Sequence, residues 1–156
     1  MEMMFFYDTT IGKIGISENG KAVTNIYFEN ESLENKVQLV ETPLIKNAFE
    51  QIKEYLNGKR KTFDFPIELN GTEFQKSVWR ALQEIPYGET KTYKEIAIAI
   101  GNEKACRAVG MANNKNPLPI VIPCHRVIGA NGKLVGYAGG LNIKENLIKI
   151  ENKLKE

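Results

Sequence analysis

The apolar positions of the chain change period several times. Ile11, Ile14 and Ile16 come before the turn pair Asn19-Gly20, and Val23-Thr24-Asn25-Ile26-Tyr27-Phe28, rich in β-branched and aromatic residues, comes after it. Two such runs about a tight turn predict a β-hairpin. Leu44, Ile45, Ala48, Phe49, Ile52, Tyr55 and Leu56 then recur at helical spacing, opened by Thr42-Pro43 and closed by Asn57-Gly58. The threonine cap, first-turn proline and terminal glycine frame a helix whose stripe belongs in a core. Phe63, Phe65 and Ile67 alternate as one more strand, at an edge because of Pro66.

Beyond Asn70-Gly71 the punctuation is helical. Thr72-Glu73-Phe74-Gln75 fits a capping box for a helix with Phe74, Val78, Ala81, Leu82 and Ile85 on one face, Trp79 on its flank and Pro86-Tyr87-Gly88 as the stop. Thr92-Tyr93-Lys94-Glu95 is a second capping box, for a short helix through Ile96, Ala97 and Ile100 that Gly101 ends. Asn102 stands where it can cap a third helix carrying Ala105, Arg107, Ala108, Val109 and Met111. Helices joined through a glycine turn are a helix-turn-helix candidate, although tight helix pairs also serve purely structural ends. No repeat or low-complexity tract interrupts the chain. The pattern predicts an α+β fold in two lobes: residues 1–70, strand-rich with one helix, and residues 71–156, mainly helical.

Charge sharpens that division. The 156 residues are 42% hydrophobic and 26% charged, an ordinary globular make-up. Residues 1–70 hold eight Lys/Arg against eleven Asp/Glu, a net of −3, and residues 71–156 hold thirteen against eight, a net of +5. The basic lobe, which also holds the helix pair, is the one suited to nucleic acid. No apolar stretch approaches the ~20 residues of a membrane helix, and the first residues lack the regions of a secretory signal, so a cytosolic protein is expected. Two cysteines, Cys106 and Cys124, and one histidine, His125, cannot build a disulfide scaffold or a zinc ribbon.

The run from Asn116 to Val127 concentrates the candidate chemistry. Pro117, Pro119 and Pro123 fix φ along the approach, which predicts a stiff extended arm delivering Cys124 to a fixed place. A thiol needs a base or a cation to become a good nucleophile at neutral pH, and His125 and Arg126 stand next to it. In an extended strand neighbouring side chains point to opposite faces, so His125 reaches the sulfur only through a bend or a bridging water; the water is expected. A buried small cysteine beside a satisfied histidine is the structural alternative.

Pro123-Cys124-His125-Arg126, with Ile120-Val121-Ile122 before it and Val127-Ile128-Gly129 after it, resembles the acceptor-cysteine motif of the O6-alkylguanine-DNA alkyltransferases, the methylated-DNA–protein-cysteine methyltransferases. The likeness continues through Gly88-Glu89-Thr90, Thr92-Tyr93, Arg107-Ala108-Val109-Gly110 and Asn116-Pro117 upstream, and Gly136-Tyr137-Ala138-Gly139-Gly140-Leu141, Lys144-Glu145 and Glu151 downstream. It covers residues 72–151, with a weaker fit over the first lobe.

The resemblance implies a ribonuclease-H-like first lobe and a winged helix-turn-helix in the second. It also implies an irreversible, single-turnover transfer from O6-alkylguanine, chiefly the methyl adduct, to the protein's own sulfur. The base is flipped out of duplex DNA, because stacking blocks in-line attack. On this likeness Cys124 is the acceptor, His125 the water-mediated base and Glu151 the carboxylate that supports the imidazole. Tyr93 donates a proton to the base, and Asn116 is a hinge before the active-site arm. Tyr137, Ala138, Val127 and Pro119 fall in the substrate pocket. Arg107, Ala108, Gly110, Cys106, Thr92, Tyr93 and Arg126 fall on the DNA side; Arg107 enters the space left by the base, and the small residues let the helix approach the minor groove. The implied protein is a monomer in the cytoplasm, nucleoid-associated when on DNA, with no membrane, cofactor or metal.

Three departures stand out. Ala138 replaces the serine of many relatives, which leaves a backbone amide to serve the guanine oxygen. Cys106 stands where alanine is common and is expected as a small buried packing residue. The first lobe lacks the cysteines and histidines of the zinc site found in some relatives. A Cys-His-Glu hydrolase that turns over a thioester, and a lesion sensor without transfer, are the competing functions.

Overall fold

The computed structural model describes residues 2–29, 37–134, 136–137 and 139–155, with side chains as far as Asn152. Its chain divides into two compact units, Met1–Asn70 and Gly71–Glu156.

In the first unit, β1 (Glu2–Thr9), β2 (Gly12–Glu18) and β3 (Val23–Phe28) form an antiparallel meander, and β4 (Val37–Leu39) adds to β1 in parallel, giving the order β3-β2-β1-β4. The hairpin predicted about Asn19-Gly20 is the β2–β3 pair. Asn19 holds its turn through the side chain, which accepts from the amides of Lys21 and Ala22 at 3.0 Å each, while Gly20 takes φ +92°. β1 carries apolar residues on both faces and so lacks the period-2 signature, and the sequence reading missed it, as it missed the three-residue β4. Phe6 lies opposite Gly15 across the β1–β2 ladder, and a Cβ on Gly15 would stand 2.8 Å from its ring. The ring covers the backbone that the glycine leaves bare.

Helix α1 (Pro43–Leu56) packs on the sheet with Ile45, Ala48, Ile52 and Tyr55 fully buried. Its cap is the predicted one: Thr42 accepts from the amide of Ile45 at 3.1 Å. The strand expected at Phe63–Ile67 does not form. That segment makes a single parallel bridge, Val23 to Ile67, with the Val23 amide donating to the Pro66 carbonyl at 2.9 Å. Pro66 has no amide to extend a ladder, and the burial of Phe65 anchors the segment instead.

The second unit is built on α2 (Glu73–Gln83), α3 (Tyr93–Ala99), α4 (Cys106–Asn114) and α5 (Leu141–Lys155), with a two-residue parallel ladder between β5 (Lys91–Thr92) and β6 (Val127–Ile128). Both predicted capping boxes are present, at Thr72/Gln75 and at Thr92/Glu95. Trp79 is a centre of the core rather than its flank: it is 1% exposed and its indole donates to the Ala112 carbonyl of α4 at 2.9 Å. A Cβ on Gly71 would stand 2.6 Å from that indole, so the glycine lets the chain pass beneath it. Gly101, at φ +79°, ends α3 and turns the chain toward α4. Asn102 does not cap α4; the helix begins after Ala105 with no side-chain cap, because Asn102 lies one turn too early and its carbonyl closes a turn with Ala105 at 3.0 Å. No helix among the described residues is long and apolar enough to cross a membrane.

Candidate active site

The segment that approaches Cys124 is bent, not extended. Ile122 donates to the Leu118 carbonyl at 2.8 Å, closing a turn in which Ile120 takes φ +76°. It is the one non-glycine residue in that region among those described, and a β-branched one. Such a conformation costs ~1–3 kcal/mol and persists only where its surroundings impose it. Asn116 does so from inside: its amide donates to the Ile122 carbonyl at 2.8 Å and its oxygen accepts from the Leu118 amide at 2.9 Å. Asn116, expected as a hinge, is tied across this turn by its side chain. Pro119 is buried within it.

After Pro123 the backbone curls again. Cys124, His125 and Arg126 form one turn of 3-10 helix, so the chain bends here where the pattern predicts an extended arm with a water between His125 and the sulfur. Burial confines all three: Cys124 is 4%, His125 0% and Arg126 8% exposed. Asn113 of α4, which the sequence reading missed, donates to the Cys124 carbonyl at 3.3 Å. Its place one helical turn beyond the buried Val109 is the signal that could have found it.

Glu151 reaches the turn from α5. Its Oε2 lies 2.6 Å from His125 Nε2. Arg126 donates to the same carboxylate twice, from Nε at 2.8 Å and from Nη2 at 3.0 Å, and its Nη1 donates to the Ile85 carbonyl at 2.7 Å. The Gly88 amide adds a bond to Oε1 at 3.1 Å. This corrects the expectation that Arg126 faces DNA. Its guanidinium is inside, spent on a bidentate pair with Glu151 and stacked 5.6 Å from the Tyr87 ring centre. Adjacency to the reactive pair hinted at a charged partner, but the carboxylate that claims the arginine lies 25 residues onward.

The site's electrostatics follow from its dryness. Burial pushes the Cys124 thiol up to about 11, against the opposing effects of the Asn116 side chain, the Lys144 ammonium and Tyr137. Burial holds His125 below the ordinary imidazole value, although Glu151 pulls the other way. Tyr93, half-buried at the start of α3, is raised, first by burial and then by the nearby Cys124 sulfur. These directions keep the thiol protonated, the imidazole neutral and the phenol a donor in the resting protein.

The β5–β6 ladder joins the two ends of the site. Lys91 pairs with Val127 and Thr92 with Ile128, which seats Thr92 and Tyr93 beside the Cys-His-Arg turn. A methyl on Gly110 of α4 would rest 3.9 Å from the Tyr93 ring, so that glycine opens space over the phenol. Arg107 and Ala108 are exposed on the first turn of α4. Cys106 is half-exposed rather than buried, because it opens the helix, with its thiol against the Glu103 carbonyl at 3.8 Å. Tyr137 is half-buried in the loop before α5, and Ala138 lies outside the described residues.

Comparison with known proteins points to one family. Residues 73–153 match the family described as the 6-O-methylguanine DNA methyltransferase DNA-binding domain, and residues 4–69 match that family's ribonuclease-like domain. A methylated-DNA–protein-cysteine methyltransferase of Methanosarcina acetivorans is 52% identical over 148 residues, covering 93% of this chain and 95% of its own length. The constitutive enzyme of that name from Bacillus subtilis is 45% identical over 151 residues, with 92% of each chain covered. Among solved structures, the Mycobacterium tuberculosis protein OGT in complex with DNA superposes with a TM-score of 0.92 at 41% identity, over 97% of this chain and 94% of the other.

Proposed function

As a member of the methylated-DNA–protein-cysteine methyltransferase family, the chain repairs DNA by moving an alkyl group to one of its own cysteines, and we propose that Cys124 is that cysteine and O6-alkylguanine in a duplex its substrate. The observation that carries this reading is the 2.6 Å contact between His125 and Glu151 inside a buried turn that begins with Cys124.

With its thiol up at about 11, Cys124 rests protonated and needs a base at the moment of attack. His125, neutral through burial, accepts the proton by way of a water, and Glu151 stabilises the imidazolium so formed. The sulfur attacks the alkyl carbon, the S–C bond forms as the O6–C bond breaks, and both electrons of the broken bond stay with the guanine oxygen. Tyr93 donates a proton to the departing base and regains one from the imidazolium. Guanine gains one hydrogen and the cysteine loses one. A thioether is not readily hydrolysed, so each chain acts once.

Arg107 and Ala108, exposed on α4, suit the minor groove: the arginine fills the gap left by the flipped base and the alanine allows close approach. A monomer suffices, since every group invoked lies in one chain, and the reaction takes place wherever cytoplasmic DNA is damaged.

Intact mass after incubation with a duplex holding one O6-methylguanine tests the reading. One methyl group per chain, mapped to Cys124, is expected. Binding without a mass change would make the protein a sensor, and methylation elsewhere would displace Cys124.

A further inference from the structure

Asn113 meets the acceptor residue from the inner face of α4 and uses only half of its amide there. The side chain is 2% exposed, and its Nδ2 donates to the Cys124 carbonyl at 3.3 Å. Chemistry fixes that orientation, because the opposite one would set two oxygens against each other. Oδ1 is then left in the interior with no hydrogen-bond partner among the described residues.

Packing does not account for such an atom. A buried acceptor without a partner is costly and native folds keep few of them, whereas leucine would fill a similar volume without that cost. Nor does the turn at Cys124 depend on the amide, since the Val127 amide already donates to the Cys124 carbonyl and closes the turn. With Asn113 as the second donor, both lone pairs of that carbonyl are engaged. The acceptor left over beside the reacting residue is Oδ1. Gly110, one turn earlier on α4, lies against the Tyr93 ring, which a Cβ there would approach at 3.9 Å. Tyr93 therefore borders the same side of the helix as the amide.

The substrate has one kind of donor to offer. Alkylation at O6 leaves N1 without a proton, so the exocyclic N2 amine carries the only N–H groups of an O6-alkylguanine base in DNA. We propose that Asn113 is a specificity-determining residue of the transfer, whose Oδ1 accepts a hydrogen bond from the N2 amine of the flipped base while its Nδ2 holds the Cys124 carbonyl. This role rests on Cys124 being the acceptor and O6-alkylguanine the substrate. One planar amide then sets the spacing between the base and the residue that attacks it. A base without the amine leaves Oδ1 orphaned in a closed pocket, and sites that lose a hydrogen-bond partner in this way discriminate strongly.

The test measures single-turnover methyl transfer from two duplexes that differ in one group: O6-methylguanine, and O6-methylhypoxanthine, which lacks the amine. Both are given to the full wild-type chain and to Asn113→Leu. The wild-type chain is expected to act about tenfold or more slowly on the second duplex. In Asn113→Leu the ratio of the two rates should fall toward one, whatever the absolute rates. Comparing the ratios cancels any difference in how easily the two bases leave the stack. Equal wild-type rates on the two duplexes overturn the proposal. So does an Asn113→Leu chain slowed on both by the same factor, since loss of the carbonyl contact alone would slow both alike. If Asn113→Leu fails to fold, Asn113→Ala enters the same comparison with the same expected ratio. No methyl gain by the wild-type chain from O6-methylguanine would instead remove the acceptor and substrate reading on which the role depends, and intact mass shows that case separately.

Discussion

The two units bury polar groups to opposite ends. In the first, the buried polar residues are Ser17, Glu18, Thr24 and Gln51, and their hydrogen bonds close the backbone. Glu18 accepts from the Gly20 amide at 2.9 Å and from the Thr42 hydroxyl, Ser17 meets Thr24 at 3.1 Å, and Gln51 ties to Asp64. In the second, His125, Arg126, Lys144 and Glu151 are buried together around a sulfur. Buried groups tied one by one to neighbouring hydroxyls and amides contribute ~1 kcal/mol per hydrogen bond, whereas several buried charges packed together are stable only as a set. The second unit accepts that dependence because chemistry on a thiol needs charge in a dry place.

The largest expected effect tests the sulfur alone. Cys124→Ala should abolish methyl transfer, read by intact mass, while the melting temperature stays close to wild type, since the buried thiol is neutral and its removal strands no charge. Glu151→Gln comes next. It leaves Arg126 facing a neutral amide and should cost roughly 3–5 kcal/mol in denaturant unfolding, together with most of the transfer rate. Glu18→Gln in the first unit should cost only about 1–3 kcal/mol and leave transfer intact. A smaller cost for Glu151→Gln than for Glu18→Gln would erase the contrast between the units.

His125 sharpens the contrast through pH. Its folded pKa lies below the ordinary value, so below about pH 6.5 the unfolded chain binds the proton more readily. Stability is therefore full above that pH and declines as pH falls through it, whereas the transfer rate, which follows the folded imidazole, should persist to lower pH. His125→Gln should flatten the decline in thermal melts between about pH 6.5 and the folded value.

The smallest effects compare two matching caps. Thr72→Ala and Thr92→Ala should each cost about 1 kcal/mol. Only the second should slow transfer, because the Thr92 cap fixes the turn that carries Tyr93. Equal transfer rates in the two variants would detach Tyr93 from its cap.

These caps also show what a sequence discloses. Helix α1 and the boxes at Thr72 and Thr92 were legible because capping is local: donor and acceptor lie three residues apart. The β2–β3 hairpin was legible for the same reason. The burial of Arg126 was not, since the carboxylate that neutralises it arrives from another helix. Nor was the turn at Ile120, where a residue type that avoids left-handed backbone is held there by Asn116 and its neighbours. Cys124, His125 and Glu151 could be named only through the resemblance to a known family, while the 3-10 turn that sets the first two against Glu151 of α5 needed the folded chain.

The indole beneath α4 gives the molecule an internal lamp. The chain has a single tryptophan, and its Nε1 is bonded to a carbonyl of the helix whose outer face carries Arg107. Indole emission therefore comes from one known point behind that helix, with no competing indole elsewhere. A change in colour or intensity on adding DNA, or after the sulfur has been alkylated, reports directly on movement of α4, without any attached dye.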